Sequence, residues 1–548
     1  MAENLLSPGV LTRENDQSQI TQGPQSAGAA ILGPTVKGPV NIPTIVTSYS
    51  DYISKFGGNF RSGSGIHEYL TSISAYNYFQ QGGDSLLVTR VVSGSFTAAS
   101  SSLVENGVGS GSFVLETISE GAISNSGDDE GTGGSLTNGT QDNVRWEIPS
   151  VNIPNGTFNL VIRRGNDNAN QKVILESWPN LSLDPNSNNY IEKVIGNQKD
   201  TLISGAISTS GDYTVKSRFI RVKSVTNPTL DYFDNVGQAK TALTGSVPIT
   251  GSGSFGGATG DLAGVDGLVA NDYTSSISLL ANTDAFRFDV ITVPGLNHNE
   301  DSAAVSLLVS VAEQRGDAIA IIDLVPETAN IATAVSEASE IDSTYAAAYY
   351  PHVQVNSPNT GKLKFVPPST VIPSVFANND RIGAEWFAPA GFTRGGINVV
   401  QAKRKLSPSD RDTLYLGKVN PIGTFPGQGV VVYGQKTLTN TASALDRINV
   451  RRLLIELKSY IGQVGQTLVF ENNTIATRNS FLAKVRPYMD SIQQRGGLFA
   501  YRVVMDDTNN TSDVIDRNQI VGQIFVQPAR AAEFVILDFN VSPTGVTI

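Results

Sequence analysis

The stretch "AIAIIDLVP", Ala318 to Pro326, limits the possible folds more than any other part of this chain. It is a near-continuous apolar strand, the pattern found where both faces of a sheet are covered. Amphipathic patterns flank it on both sides. Before it, "EDSAAVSLLVSVAEQRG" puts Val305, Leu308, Val309 and Ala312 on one helix face and stops at Gly316. After it, "ETANIATAVSEASEI" aligns Ile331, Ala334, Val335 and Ala338. The strands "FRFDVITVPG" and "YAAAYYPHV" bracket both helices. Strand–helix–strand–helix–strand predicts a parallel sheet with right-handed crossovers.

The same alternation opens the chain. "AAILG" and "PTIVTS" read as strands, and "SDYISKFG" as a short helix capped by Ser50 and closed at Gly57. "GIHEYLTSISAYNYFQQGG" reads as a longer helix, with Ile66, Tyr69, Leu70 and Ile73 on one stripe. "SLLVTRVV" follows as a strand. Residues 96–270 differ. Short strands such as "GSFVLETI", "FNLVIRR" and "SRFIRVKSV" sit between Gly/Ser/Asn/Asp loops, and helical periodicity is nearly absent. They predict a β-rich surface insertion that interrupts one α/β domain, 25–95 plus 271–400. An α+β domain over 401–530 comes next, in which Val450, Leu453, Leu454, Leu457 and Ile461 form a buried stripe. In its second helix, "TIATRNSFLAKVRPYMDSIQQRGG", Pro487 is expected to kink or split the helix. The predicted fold class is therefore multidomain, α/β then α+β.

The two ends fall outside these domains. Residues 1–24 carry turn signals and little apolar periodicity, and read as a disordered tail or, in "VLTREN", as a short extended arm. Residues 531–548 hold "EFVILDFNV", whose Val535, Leu537, Phe539 and Val541 alternate onto one face, with Phe534 and Ile536 on the other. A free edge of this kind invites aggregation, so a partner strand is expected.

Composition narrows function mainly by exclusion. The chain has no Cys, which rules out disulfides and thiolate chemistry. Its three His, at 67, 298 and 352, form no spaced pair or HExxH, and His67 is read as structural on the helix of 65–81. "GSGSFG" satisfies GxGxxG by spelling alone, and "SPNTGKL" lacks the first Gly and the following helix of a phosphate loop. The acids at 128–130, 261 and 266 show no EF-hand register. No apolar run approaches the roughly 18 residues of a membrane helix, and "MAENLLSPGV" shows no leader pattern, so no membrane insertion and no signal peptide are expected. Charge is uneven beneath a net −11: residues 401–548 hold 17 Lys and Arg against 12 Asp and Glu, and the rest hold 22 against 38. The C-terminal part is thus expected to face a more acidic surface, and without a dense basic run nucleic acid is a poor fit.

Several segments together resemble the contractile tail sheath proteins of myophages and related injection machines. These are "SPGV" at 7–10, "AAILGPTVKGPVNIPTIVTSYSDYISKFGG", "YFQQGGDSLLVTRVV", "LDRINVRRLLIELK" and "MDDTNNTSDVIDRNQIVGQIFVQPARAAEFVILDF". The resemblance covers about 25–95 and 280–541 and skips the insertion, which is variable in this family. It implies a structural, non-enzymatic subunit without cofactors or metal. Subunits would stack as hexameric rings around an inner tail tube, bound also by baseplate and tail terminator proteins, in a virion tail assembled in the host cytoplasm. The sheath of a cell-encoded injection system is the alternative. A glycan depolymerase and a surface-layer protein are rivals from other classes. By the same resemblance, inter-subunit arms would include Val10, Leu11, Thr12 and Arg13 at one end and Phe534, Val535, Ile536, Leu537, Phe539 and Val541 at the other. Arg447, Arg451, Arg452 and Lys458 would face the tube or a neighbour, with an intradomain pair such as Arg452–Glu456 as the competing possibility.

Overall fold

A computed structural model describes residues 25–533, apart from 63–64, 125–133, 204 and 261–267. An eight-stranded sheet forms its centre, in the order Thr44–Val46, Leu86–Arg90, Gln25–Gly33, Phe286–Asn297, Ile319–Asp323, Ala346–Tyr350, Asn420–Phe425, Gly429–Val432. The six inner strands are parallel, and a short antiparallel strand closes each edge. Gln25–Gly33 pairs on one side with Leu86–Arg90 and on the other with Phe286–Asn297, across the whole insertion.

Period-two alternation sorts the inner strands onto two cores. Leu32, Ala320 and Ile322 meet Val305, Leu308 and Ala312 of the helix His298–Arg315, and Ala334 and Ala338 of Ile331–Ser339. Ile31, Ile319 and Ile321 meet Tyr52, Ile73, Val375 and Ile448 on the other face. Both helices on the first face begin on Asn caps, with Asn297 accepting from Glu300 N at 3.1 Å and Asn330 from Thr333 N at 3.0 Å. The first ends at Gly316, whose φ of 70° is the left-handed stop that glycine adopts without strain.

The structure corrects the sequence reading in four places. The helix expected from residue 65 begins at Leu70, because Gly65–His67 pairs with Phe60–Ser62 as a hairpin, leaving Ile66 exposed. Buried Glu68 fixes that junction, accepting from Ser72 Oγ at 2.7 Å and from Asn359 Nδ2 at 2.6 Å and N at 3.2 Å. Ser48, not Ser50, caps Tyr49–Phe56. Ile475–Gln494 runs unbroken through Pro487. Finally, Asn420–Phe425 and Gly429–Val432 extend the central sheet past residue 400.

The insertion folds on its own core. Seven strands order as Ile174–Ser182, Thr157–Arg164, Val144–Asn152, Gly251–Gly256, Ala98–Ser101, Phe113–Glu120, Ile220–Val225, antiparallel throughout. Phe113, Trp146, Phe158 and Phe255 fill it. The GxGxxG spelling is one of these strands, and "SPNTGKL" makes the turn between Val353–Asn356 and Leu363–Val366.

One buried acid at the sheet gives a pH prediction. Asp323, 3% exposed, ends its strand and accepts from Ser369 N at 3.0 Å and from the Ser369 hydroxyl. Burial nevertheless pushes its carboxyl up to about 7. An unfolded Asp titrates near ~4, so between about pH 4 and 7 the folded chain binds more protons. This contribution to stability is full below pH 4 and is lost as pH rises through 7. Asp323→Asn is expected to remove that slope. Urea midpoints of the two proteins should diverge from pH 5 to pH 8, with the variant gaining on the parent at pH 8. Parallel curves would refute the assignment.

Candidate assembly site

The helices Ile448–Gln466 and Ile475–Gln494 form an antiparallel hairpin. Leu453, Leu457, Val485, Met489 and Ile492 pack between them and onto Leu498 and Val503 of a terminal two-stranded sheet. The rings of Tyr460 and Tyr488 stack at 3.7 Å, and Tyr488 donates to Glu456 at 2.7 Å. The sheet joins Leu498–Val504 to Gln523–Pro528 antiparallel, with Tyr501 opposite Val526 and Val503 opposite Ile524. Two strands alone are marginal, and this pair gains one packed face from the helices. The other face carries Phe499 and Phe525, 69% and 56% exposed, and among the described residues no third strand joins either edge.

The chain leaves this sheet at Pro528 and is fixed again at Glu533. Arg447 grips that carboxylate with two bonds, Nε to Oε1 at 2.7 Å and Nη2 to Oε2 at 3.0 Å. Gln435 Nε2 donates to Oε1 at 3.1 Å, and the Tyr415 hydroxyl donates to Oε2. Lys436 Nζ sits 3.9 Å above the Tyr415 ring. Burial alone would raise the Glu533 pKa, but the bonds from Arg447, Tyr415 and Gln435 outweigh it and hold the carboxyl below its usual range. Tyr415, Gln435, Arg447 and Glu533, which make these bonds, come from four separate segments. The sequence reading singles out Arg447, as a tube- or neighbour-facing charge, and names Glu533 only as the start of the apolar run.

The four candidate charges occupy different environments. Arg447 is committed to Glu533 and to Asp446 at 3.0 Å. Arg451 is buried, its guanidinium 4.0 Å over the Tyr345 ring and donating to Thr344 Oγ1. Arg452 is buried and bidentate on Asp380, at 2.7 and 2.5 Å, so its partner is Asp380 and not Glu456. Lys458 is exposed and donates to the Tyr345 hydroxyl at 3.3 Å. Around Arg452, burial and neighbouring acids push Asp289 up to about 8 and Glu385 up to about 7. The arm residues Val10, Leu11, Thr12 and Arg13, and Phe534, Val535, Ile536, Leu537, Phe539 and Val541, lie outside the described residues.

Among the described residues, His298, Glu337 and Glu340 could bring ligand atoms within 4.8 Å of one another. Glu337 is already bonded to His298 Nδ1 at 2.7 Å and to Asn299 at 2.8 Å, which accounts for the grouping without a metal.

Comparison with known proteins gives consistent matches. Residues 266–438 match the family described as phage tail sheath protein central domain, and 440–542 match the phage tail sheath C-terminal domain. Together the two spans cover just over half of the chain. The tail sheath protein of Enterobacteria phage T4 is 39% identical over 206 residues, which are 37% of this chain and 31% of that protein. The tail sheath protein of Vibrio phage KVP40 is 32% identical over 410 residues, 69% of this chain and 59% of the relative. The chain thus spans less than two thirds of either relative. Among solved structures, the contracted helical sheath of the anti-feeding prophage aligns with 97% of this chain and 98% of its own (TM-score 0.52, 16% identity). The sheath tail protein of Listeria innocua aligns over 92% and 95% (TM-score 0.52, 11% identity). At such identities these two likenesses concern the fold alone.

Proposed function

We propose, from the premise that this chain belongs to the phage tail sheath family, that it is the repeating subunit of a contractile tail sheath. Copies stack as hexameric rings around an inner tube. Contraction of the lattice drives the tube through a host envelope for genome delivery. The role is mechanical: energy comes from new contacts between subunits, and no catalytic step is required. The tube, the baseplate and a terminator are the other partners, and the place is a virion tail assembled in the host cytoplasm.

The open two-stranded sheet at the C-terminus carries this reading. Its edges and its exposed Phe499 and Phe525 suit strands added from other copies by β-augmentation. The clamp on Glu533 fixes the point where one such strand leaves its own subunit. Residues 1–24 supply the second arm. Of the four basic residues, Lys458 is the exposed one and suits a tube or neighbour contact best, because the other three are bonded within their own subunit. A cell-encoded injection system is the alternative reading; the anti-feeding prophage sheath, at 16% identity, shares the fold. The phage relatives, 32–39% identical, favour the first.

Negative-stain microscopy of the purified full chain tests the proposal. Striated tubes or six-fold rings are expected. A dispersed monomer at high concentration would overturn it.

A further inference from the structure

A groove of about 640 Å³ runs beside the clamp. Phe392 and Tyr433 line it, 51% and 45% exposed, with their ring centres 5.9 Å apart. Phe425 lies behind them, 5.1 Å from Phe392 and 4.9 Å from Tyr433. The Arg411 guanidinium is 5.1 Å from the Phe425 ring centre and 5.8 Å from that of Tyr433. An aromatic surface this open usually has an occupant.

The path of the chain indicates which. Ala529 to Glu533 form one wall of the groove, and the clamp holds Glu533 there. The next residue is Phe534, the first of "FVILDFNV", with 15 residues remaining to the end of the chain. An extended strand advances about 3.3 Å per residue, so four residues would span roughly 13 Å. Charge agrees with this direction. Arg394, Arg411 and Arg530 line the groove against Asp412 and Glu533, and Glu533 is already matched by Arg447. The one charged side chain beyond Glu533 is Asp538.

We infer that, before assembly, the apolar C-terminal segment folds back into the groove of its own subunit, placing Phe534 to Phe539 over Phe392 and Tyr433 and Asp538 near Arg411. The inference rests on the reading that this segment pairs with another copy in the finished sheath. It supplies the state that precedes that pairing. A tethered segment sees its own groove at an effective concentration of order millimolar, so the groove holds it while free subunits are dilute. A growing sheath end offers open strand edges as well, and the segment transfers. Until then a sticky edge is kept from pairing off pathway.

The chain has no cysteine, so a designed pair reports cleanly. In the full-length protein, Phe392→Cys with Leu537→Cys is oxidised at sub-micromolar concentration and read by non-reducing electrophoresis and peptide mass. Phe470→Cys with Leu537→Cys is the control, because Phe470 is fully exposed at a turn between the two long helices. The expected result is an intramolecular link forming about ten-fold faster than in the control, as tethering to an occupied groove requires. Equal rates, or a covalent dimer in place of a linked monomer, would overturn the inference. Tyr433→Asp, at a half-exposed position, gives a second reading: the lag before polymerisation should shorten several-fold, and an unchanged lag counts against docking. If linking fails while deletion of 534–548 still blocks polymerisation, only the docking falls. If the deleted chain polymerises, the sheath reading of the segment falls instead.

Discussion

Deleting residues 534–548 is expected to leave a folded, soluble subunit that no longer polymerises. The deletion keeps Glu533 and its bonds to Arg447, Gln435 and Tyr415, and removes no described residue of the C-terminal sheet or its helices. It removes Val535, Leu537, Phe539 and Val541, each contributing roughly 1.5–3 kcal/mol when buried on a partner. Ordering each backbone residue of such an arm costs about 1–2 kcal/mol, so a single arm is a weak link. A lattice joined by many weak links is steep in its dependence on each, and the loss should be complete at concentrations where the parent forms tubes. Sedimentation and negative-stain microscopy, with circular dichroism as the folding control, check this. Tubes from the shortened chain would show that the strand is dispensable.

Replacing Arg452 is expected to produce the largest loss of stability among the basic residues of the helix Ile448–Gln466. Its guanidinium is buried, bonded to both oxygens of Asp380 and 5.0 Å from the Phe376 ring centre. Burial alone would weaken its hold on the proton, but Asp380, Glu385 and Asp289 more than reverse that. Arg452→Met leaves Asp380 without its partner and brings those acids together uncompensated. The expected loss is roughly 3 kcal/mol, the low end for breaking a buried pair, because Asp380 keeps 30% of its side chain in solvent. Arg452→Lys should recover little, since an ammonium cannot make the fork. Adding Asp380→Leu to Arg452→Met should restore part of the loss. Urea unfolding checks all three, and a midpoint unchanged in Arg452→Met would refute the role.

The elements that local periodicity could encode were legible in the sequence. Val305, Leu308 and Ala312 lie buried on one helix face, and Gly316 stops that helix where the pattern ended. Local signals misled where a distant partner intervened. Ile66, Tyr69, Leu70 and Ile73 have helical spacing, yet the hairpin with Phe60–Ser62 and the bonds from Asn359 to Glu68 hold the first of them out of the helix. The basic residues near 450 left an outward role and intradomain pairing both open, because Asp380, Tyr345 and Glu533, which draw three of them inward or hold them to their own subunit, are far away in sequence.

The sequence by itself determined the alternation of strand and helix, the interruption of one domain by a β-rich insertion, and the alternating apolar pattern near the C-terminus. All three are local patterns, written in the two-residue and 3.6-residue periods of side-chain direction. The tertiary structure alone decided which partner each charge takes, where the central sheet ends, and that the adhesive segment is rooted at Glu533 beside an open aromatic groove. Those outcomes depend on close contacts between residues tens to hundreds of positions apart, which no local period records.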